Sequence, residues 1–476
     1  MAQYKWFPAV LLAFGIACAT NPATGRSNFN TMSEADEVAL GREADAQVRQ
    51  EMGVYDDAAW QAYVNRVGQA LAKNSHRPGL PWTFAVIDSP AVNAFALPGG
   101  FIYLTRGILP FLRDEAELAN VLGHEIAHVT ARHGAQAYSK QQATGLLVGL
   151  GRIFAPERYQ GLVGVAEGGL GLLFLKHGRD AEREADQFGV GYAAKAGWDP
   201  AGMTGMLGTL VRLSEASGSR RGVPNFLSTH PAPEDRIEEL RVAVATAAGP
   251  GSRMTNAAEF SRRLDGLVFG DSREQGMVRG RAFVHPVLKF SLEFPEGWQV
   301  SNSAQQVVAQ PQEEAQLAMI LQVVADTSRS PEEVARAVMA ESQMQQQSGQ
   351  NTTINGLRTF VGTYVGEQQV VRAAFIAAGG QTYLLAGMAT EASFNSGQRA
   401  FDGTIASFRP LSEQEANAIQ SDRVDSYTVR NGDAWASIAQ NLAKGAISGP
   451  SLAVMNGSSP ETRPVVGARI RIVARR

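Results

Sequence analysis

The chain reads as an α+β protein: a mainly helical N-terminal domain with a small sheet, a second α+β domain built on an antiparallel sheet, and a short module at the end. Three observations carry this expectation. Apolar residues recur at helical spacing around residues 114–130, and a second polar helix start follows at Arg179. β-branched and aromatic residues recur at strand-like spacing between Phe283 and Ala389. The short final stretch, 425–474, carries a motif set of its own, from Tyr427 to Val473. At 476 residues the chain holds material for two to four domains with ample cores.

Lys5 precedes an apolar run from Trp6 to Ala17, which is too short and too early for an ordinary membrane span. The run ends in Gly15-Ile16-Ala17-Cys18, and Cys18 is the one cysteine, so no internal disulfide forms. The pattern resembles a bacterial lipoprotein signal. That resemblance implies a signal peptide over 1–17, acylation at Cys18 as the mature N-terminus, and a linker over 18–30; an ordinary cleaved secretory signal is the alternative. Either way the protein is exported. Ala19 after the cysteine implies the outer membrane as its destination. The formal charge of −3 gives no electrostatic case for nucleic acid.

Residues 31–245 form the next expected domain. From Phe95 to Leu104 the chain is apolar on both sides of a Pro-Gly-Gly turn and reads as two strands. An edge strand there, with Phe95, Ala96, Gly99 and Gly100, would hold an extended peptide by main-chain hydrogen bonds; a plain core strand is the other reading. Asp114 caps the following helix with Glu117 completing a capping box, and Leu118, Val121, Leu122, Ile126 and Val129 form its apolar stripe.

That helix carries His124-Glu125-Ile126-Ala127-His128. Residues four apart share a helix face, so both imidazoles can reach one metal ion while Glu125 lies beside the position of a metal-bound water. An amphipathic helix with two ordinary histidines would give the same five letters. Zinc needs a third protein ligand and an open position. In the run Arg179-Asp180-Ala181-Glu182-Arg183-Glu184-Ala185-Asp186, Glu182 and Asp186 lie one helical turn apart, so one carboxylate can bind the metal while the other orients a ligand histidine. His133 is a poorer third ligand, because on a continuing helix it points away from the face of His124 and His128. Between these helices, Gly145 to Leu175 is rich in Gly and Leu, but Arg152, Glu157, Arg158 and Glu167 exclude a membrane span. It reads as a lid over the cleft or as a pair of packed helices.

Four elements now stand in order: Asn93 to Gly107, the histidine motif within Gly123 to His128, the E-x-x-x-D pattern from Glu182 to Asp186, and Ser228-Thr229-His230-Pro231 followed by Arg236. Together they resemble the HtpX and CAAX-prenyl-protease family of metallopeptidases, family forty-eight, and in particular its soluble periplasmic members of the BepA type. The resemblance implies a gluzincin-type domain with zinc as cofactor. It makes His124, His128 and Glu182 the zinc ligands, Glu125 the catalytic base and Asp186 the carboxylate that holds a ligand histidine from behind. It places His230 near the metal, where it would stabilise the oxyanion or fill the fourth zinc position at rest; His230 could also merely end a loop. The implied function is a periplasmic zinc endopeptidase acting on unfolded or misassembled envelope proteins. A chaperone-like factor that holds clients in the same groove is the alternative, and cleavage of peptidoglycan peptides is a weaker third reading.

Ala243 to Gly251 is small and flexible, and 246–282 reads as a linker. Over 283–411, strands are expected at Phe283 to Phe294, Trp298 to Val300, Gln306 to Ala309, Ala318 to Val324, Thr359 to Tyr364, Val370 to Ala377 and Gln381 to Ala389, with helices at Pro331 to Gln345 and Ser396 to Ser407. This domain distantly resembles the PsbP-like fold. It lacks a catalytic constellation, its one histidine, His285, is structural, and it reads as a binding or positioning domain. Finally Tyr427 to Asp433, Trp435, Ile438, Leu452, Met455-Asn456-Gly457 and Gly467 to Val473 resemble a LysM module over 425–474, which implies a strand–helix–helix–strand (βααβ) order. That resemblance implies peptidoglycan as a partner, with the membrane reached by the lipid anchor alone; a domain of this shape that only packs on its neighbours is the other possibility.

Overall fold

The computed structural model describes residues 18–143, 177–216, 225–231, 234–247, 253–312 and 316–475. The expected signal peptide and the Gly145 to Leu175 segment lie outside the described residues. Among those described, no helix is long and apolar enough to cross a membrane. The chain divides into two compact units: one runs to Gly270 and resumes with Asp422–Arg475, and the other holds Asp271–Ser421.

The first unit opens with a small antiparallel hairpin, β1 (Cys18–Thr20) and β2 (Ser27–Phe29), where a linker was expected. Asn21 Oδ1 accepts from the backbone N–H groups of Ala23 and Thr24, and Gly25 takes φ 70°, so the turn is made by local chemistry. Helices α1 (Glu34–Met52), capped by Ser33, and α2 (Ala58–Ala72), capped by Asp57, follow. Strands β3 (Thr83–Ile87), β4 (Ala94–Leu97) and β5 (Phe101–Thr105) make a three-stranded sheet with β5 in the centre, parallel to β3 and antiparallel to β4. Strand β4 is therefore an edge. Beyond it come α3 (Glu115–Thr130), α4 (His133–Ala143), α5 (Arg179–Lys195), α6 (Gly202–Ala216), α7 (Asn225–Thr229), α8 (Glu234–Ala247) and α9 (Ala257–Leu264).

Every residue of α3 is buried. A single apolar stripe was expected, but the helix runs through the centre of the unit, so its polar side chains also face protein. Asp114 caps it by accepting from Glu117 N–H at 2.9 Å. The expected capping box stays open, because the Glu117 carboxylate reaches one residue further back and accepts from Arg113 N–H at 2.6 Å.

Much of 246–282 is folded rather than a linker. Phe260, Leu264 and Leu267 recur at helical spacing and are buried, and the Phe260 ring meets Trp60 edge-on at 5.9 Å. Just beyond, Gly266 N–H and Phe269 N–H donate to Val424 O and Asp422 O, and Val424 N–H donates back to Leu267 O.

In the second unit, β6 (Met277–Arg279), β7 (Ala282–His285), β8 (Phe290–Glu293), β9 (Trp298–Asn302), β10 (Gln306–Pro311) and β11 (Leu317–Asp326) precede α10 (Pro331–Glu341). Then come β12 (Gln345–Ile354), β13 (Leu357–Val365), β14 (Val370–Ala378), β15 (Gln381–Ala389), α11 (Glu391–Ser407), β16 (Arg409–Pro410) and α12 (Glu413–Ala418). The main sheet runs β12-β13-β14-β15-β11-β10-β9, all antiparallel, with an apolar core on each face. Helix α10 stops short of Gln345 because Gln343 adopts φ 54° and turns the chain into β12. Nothing in Gln345–Ile354 alternates apolar with polar, so this exposed edge strand was not foreseen; its ladder to β13 makes it a strand.

The C-terminal module has the expected order: β17 (Arg423–Thr428), α13 (Trp435–Asn441), α14 (Gly449–Met455) and β18 (Arg469–Ala474), with β17 antiparallel to β18. It belongs to the first unit. Phe111 and Leu213 join its core of Trp435, Ile438, Leu452, Met455 and Ile470, and Arg471 Nη1 donates to Pro110 O and Leu112 O, each at 2.7 Å.

Candidate metal centre

Two glycines bring the chemistry together. Helices α3 and α5 cross backbone to backbone at Gly123 and Gly189: a Cβ on Gly189 would lie 2.7 Å from His124 N, and one on Gly123 would lie 2.8 Å from Gly189 O. This contact sets Glu182 and Asp186, on the first turns of α5, against the histidines of α3.

His124, His128, Glu182 and His230 converge, with one donor atom from each lying within 4.8 Å of all the others. His124 Nε2 is 3.0 Å from His128 Nε2 and 3.2 Å from His230 Nδ1. Glu182 Oε1 lies 3.0 Å from His230 Nδ1 and 3.5 Å from His128 Nε2, and Glu182 Oε2 lies 3.6 Å from His124 Nε2. A tetrahedral zinc ion with bonds of about 2.0–2.1 Å separates its donors by roughly 3.3 Å, so the spacing and the donor set fit zinc. The ring protons point the same way. His124 Nδ1 donates to Asp186 Oδ1 at 2.9 Å, so in the neutral ring the lone pair falls on Nε2, the atom that faces two further ring nitrogens.

Charges behind the donors are compensated. Arg236 donates from Nε and Nη2 to both oxygens of Asp186 at 2.6 and 2.9 Å, and its Nη1 lies 2.8 Å from Glu182 Oε2. Burial works against charge on both carboxylates, yet Arg236 and the histidines hold Asp186 low and Glu182 well below the carboxylate range. Burial also lowers His124, but its bonds to Asp186 and Glu182 overcome this and lift it to about 9; His128, buried among other imidazoles, is pushed well below 6.5. Glu125 differs from its neighbours. Burial raises its pKa, its Oε1 has no hydrogen-bond partner among the described residues, and His230 Nε2 stands 3.7 Å away.

His133 corrects an expectation. Helix α3 ends at Thr130, and Arg132 adopts φ 61°, which swings His133 back so that its Nδ1 lies 2.9 Å from His128 Nδ1. It is no ligand, but it is not remote either. His133 Nε2 in turn meets Glu184 Oε2 at 3.2 Å. The His177 ring stacks on His128 at 4.1 Å and the Phe226 ring on His230 at 4.5 Å. Sequence reasoning gave no role to His177, Glu184 or Arg236. One partial signal was available: three of the seven histidines lie between positions 124 and 133, and the structure adds His177 and His230 to that group.

The residues expected to bind substrate separate into two groups. Ala96, with Leu97 and Pro98 beside it, lines a cleft shared with His128, Arg132 and His177. Phe95 points to the opposite side of β4, is buried, and stacks on Tyr103 at 5.0 Å, because neighbouring strand residues face opposite ways. Gly99 and Gly100 make the turn between β4 and β5 with φ 82° and 109°. A Cβ on Gly99 would sit 2.6 Å from Val38 Cα, so this glycine serves the packing of α1. The Cys18 backbone lies in β1.

Comparison with known proteins agrees with this geometry. Residues 58–244 match the model of "Peptidase family M48". The chain is 31% identical over 246 residues to the mitochondrial metalloendopeptidase OMA1 of Schizosaccharomyces pombe, covering 50% of this chain and 71% of that protein. It is 30% identical over 236 residues to the beta-barrel assembly-enhancing protease of Escherichia coli, covering 48% of each. The chain thus spans about half the length of the bacterial relatives it matches. The solution structure of cyanobacterial PsbP from Synechocystis aligns with 27% of this chain at 14% identity and a TM-score of 0.23, too low to bear on the fold. The four converging donors, the acid beside them and the relatives that share this part of the chain agree: the chain belongs to peptidase family M48.

Proposed function

We propose that the protein is a zinc-dependent endopeptidase of the bacterial envelope that cuts unfolded or misassembled proteins. The observation that carries this reading is the pairing of four buried donor atoms with an uncommitted Glu125 oxygen beside them. His124, His128 and Glu182 would hold the metal, with His230 Nδ1 in the fourth position at rest. A zinc ion held there supplies a Lewis acid that polarises the scissile carbonyl and acidifies water.

The chain's own residues do the rest. Glu125 Oε1 takes the proton of the attacking water, and a pKa raised by burial suits it to pass that proton on to the leaving amine. Asp186 fixes the His124 ring, and Arg236 keeps two adjacent carboxylates charged inside the protein. The edge strand β4, with Ala96 facing the cleft, gives an extended peptide a place to add as a strand, which suits a sequence-tolerant protease. With His230 Nδ1 among the donors, a water or substrate would gain access to a metal held there once His230 moved aside.

The envelope assignment rests on the export signal and the lipoprotein pattern at Cys18, with outer-membrane anchoring as its finer form. Relatives named for β-barrel assembly support the substrate class. The C-terminal βααβ module is assigned as LysM-like, with peptidoglycan as its ligand, and the second unit as a positioning domain. The test is digestion of an unfolded protein such as casein by the native enzyme and by Glu125→Gln. Cleavage is expected to vanish in the variant while zinc content stays, and equal cleavage by both would sink the assignment of Glu125. Binding of the substrate by both proteins without cleavage would favour the holding function instead.

A further inference from the structure

We infer that Glu184 and His133 form a positioning relay for His128, a support separate from the one that holds His124. The inference rests on the metal reading above and concerns residues to which that reading gives no part.

The contacts along the relay match the proton arrangement that a metal-binding His128 needs. Glu184 Oε2 can only accept, so the bond of 3.2 Å to His133 Nε2 places a proton on that nitrogen. With the Nε2 lone pair of His128 turned to a metal, His128 carries its proton on Nδ1, and the 2.9 Å contact gives that proton an acceptor in His133 Nδ1. His128 Nε2 is the atom that faces His124 and Glu182. The relay thus supports the tautomer of His128 that can ligate and restrains the ring's rotation, with the two rings 71° apart.

The backbone supplies an independent sign that this arrangement matters. His133 reaches His128 only because Arg132 adopts a left-handed conformation, which costs a side-chain-bearing residue energy. Arg132 is held there by Glu37 and by Met32 O, to which its Nη2 donates at 2.5 Å. On an uninterrupted helix the five-residue step from His128 would aim His133 elsewhere. The two supports also differ in setting. Asp186 and Arg236 are 5% and 3% exposed, whereas Glu184 is 27% exposed at the rim of the centre. The His128 side can therefore be altered without opening the buried ion pairs.

The experiment measures zinc affinity of the full chain by competition with a chromophoric chelator, using zinc alone as the probe. Partners behind a ligand histidine are worth about 10–100-fold in metal affinity. His133→Phe, which keeps a ring but removes both nitrogens, is expected to weaken zinc binding within that range, and Glu184→Ala by about tenfold. Glu184→Gln, which still accepts from His133, should recover most of the loss. In the cobalt-substituted protein the visible bands of His133→Phe should shift, since His128 can then rotate or change tautomer. Glu184 sits at the rim, so its variants fold and decide the matter even if His133→Phe does not. Native-like affinity in both His133→Phe and Glu184→Ala overturns the relay while leaving the metal reading intact. A native chain that binds no zinc overturns both.

Discussion

Replacing Gly189 by alanine should cost the protein its metal before it costs the fold. The added Cβ would stand 2.7 Å from His124 N, 2.8 Å from Gly123 C and 2.9 Å from His124 Cα, all backbone atoms of a helix buried along its whole length. Carbon needs roughly 3.4 Å or more from such atoms, so α3 and α5 must part by about 0.7 Å. Overpacking of this kind costs about 1–3 kcal/mol, of which better helix propensity returns less than about 1 kcal/mol. Zinc ligands tolerate displacements of about 0.2 Å, so a shift of that size pulls Glu182 out of register with His124 and His128. Gly191, two residues along α5, has nothing within 4 Å of its Cβ position and makes the control: Gly191→Ala should be neutral or stabilising by up to about 1 kcal/mol. Thermal unfolding of the zinc-free proteins and chelator competition for zinc measure both effects. If Gly189→Ala matched Gly191→Ala in stability and kept native zinc affinity, the helix crossing could not be what sets the ligand geometry.

Three further outcomes follow from the geometry. Arg236→Met leaves Asp186 and Glu182 buried without their cation and should destabilise the first unit by about 3–5 kcal/mol, measured by denaturant unfolding; a loss under about 1 kcal/mol would refute the charge assignment. His230→Ala removes the proposed fourth donor and should raise casein cleavage while zinc content holds, whereas loss of cleavage would assign His230 to the oxyanion instead. In the second unit, burial lowers His285 to about 4, and its Nδ1 accepts from Leu288 N–H at 3.2 Å. A neutral ring in the folded state means that its contribution is present above about pH 6.5 and is lost as the pH falls toward about 4, worth about 3 kcal/mol in all. Urea unfolding from pH 7.5 to 4.5 should show that loss, and His285→Phe should flatten it; an unchanged slope would refute the linkage.

Much of the centre was legible because its residues share short-range spacing. His124, Glu125 and His128 are joined by helical periodicity, and Glu182 and Asp186 by one turn of a second helix. What could not be read is how those pieces meet. Nothing in the sequence sets Gly123 and Gly189 apart from other glycines, and only the crossing of α3 and α5 gives them a purpose. His133 was misdirected because the sequence gives no warning that Arg132 takes a positive φ, a choice enforced by partners as distant as Glu37. Phe95 and Ala96 were grouped together although a strand sends them to opposite faces, and a period-two reading would have separated them. In the second unit the apolar strands were visible from their alternation, while β12 has its partner but no apolar face and left no trace in the pattern.

The pairing of residues 266–269 with 422–424 has a topological consequence. Chain leaving the first unit at Gly270 and chain returning at Asp422 are already fastened side by side by backbone hydrogen bonds, with Phe269 N–H donating to Asp422 O at 2.8 Å. Asp271–Ser421 is therefore a loop whose ends are closed by its host, and the entropy of bringing them together falls on the host fold rather than on the inserted sheet. An insertion with a closed neck can be lengthened, exchanged or excised without redirecting the strand on either side. The peptidase helices and the C-terminal module are thus one folded body written in two separate stretches of sequence.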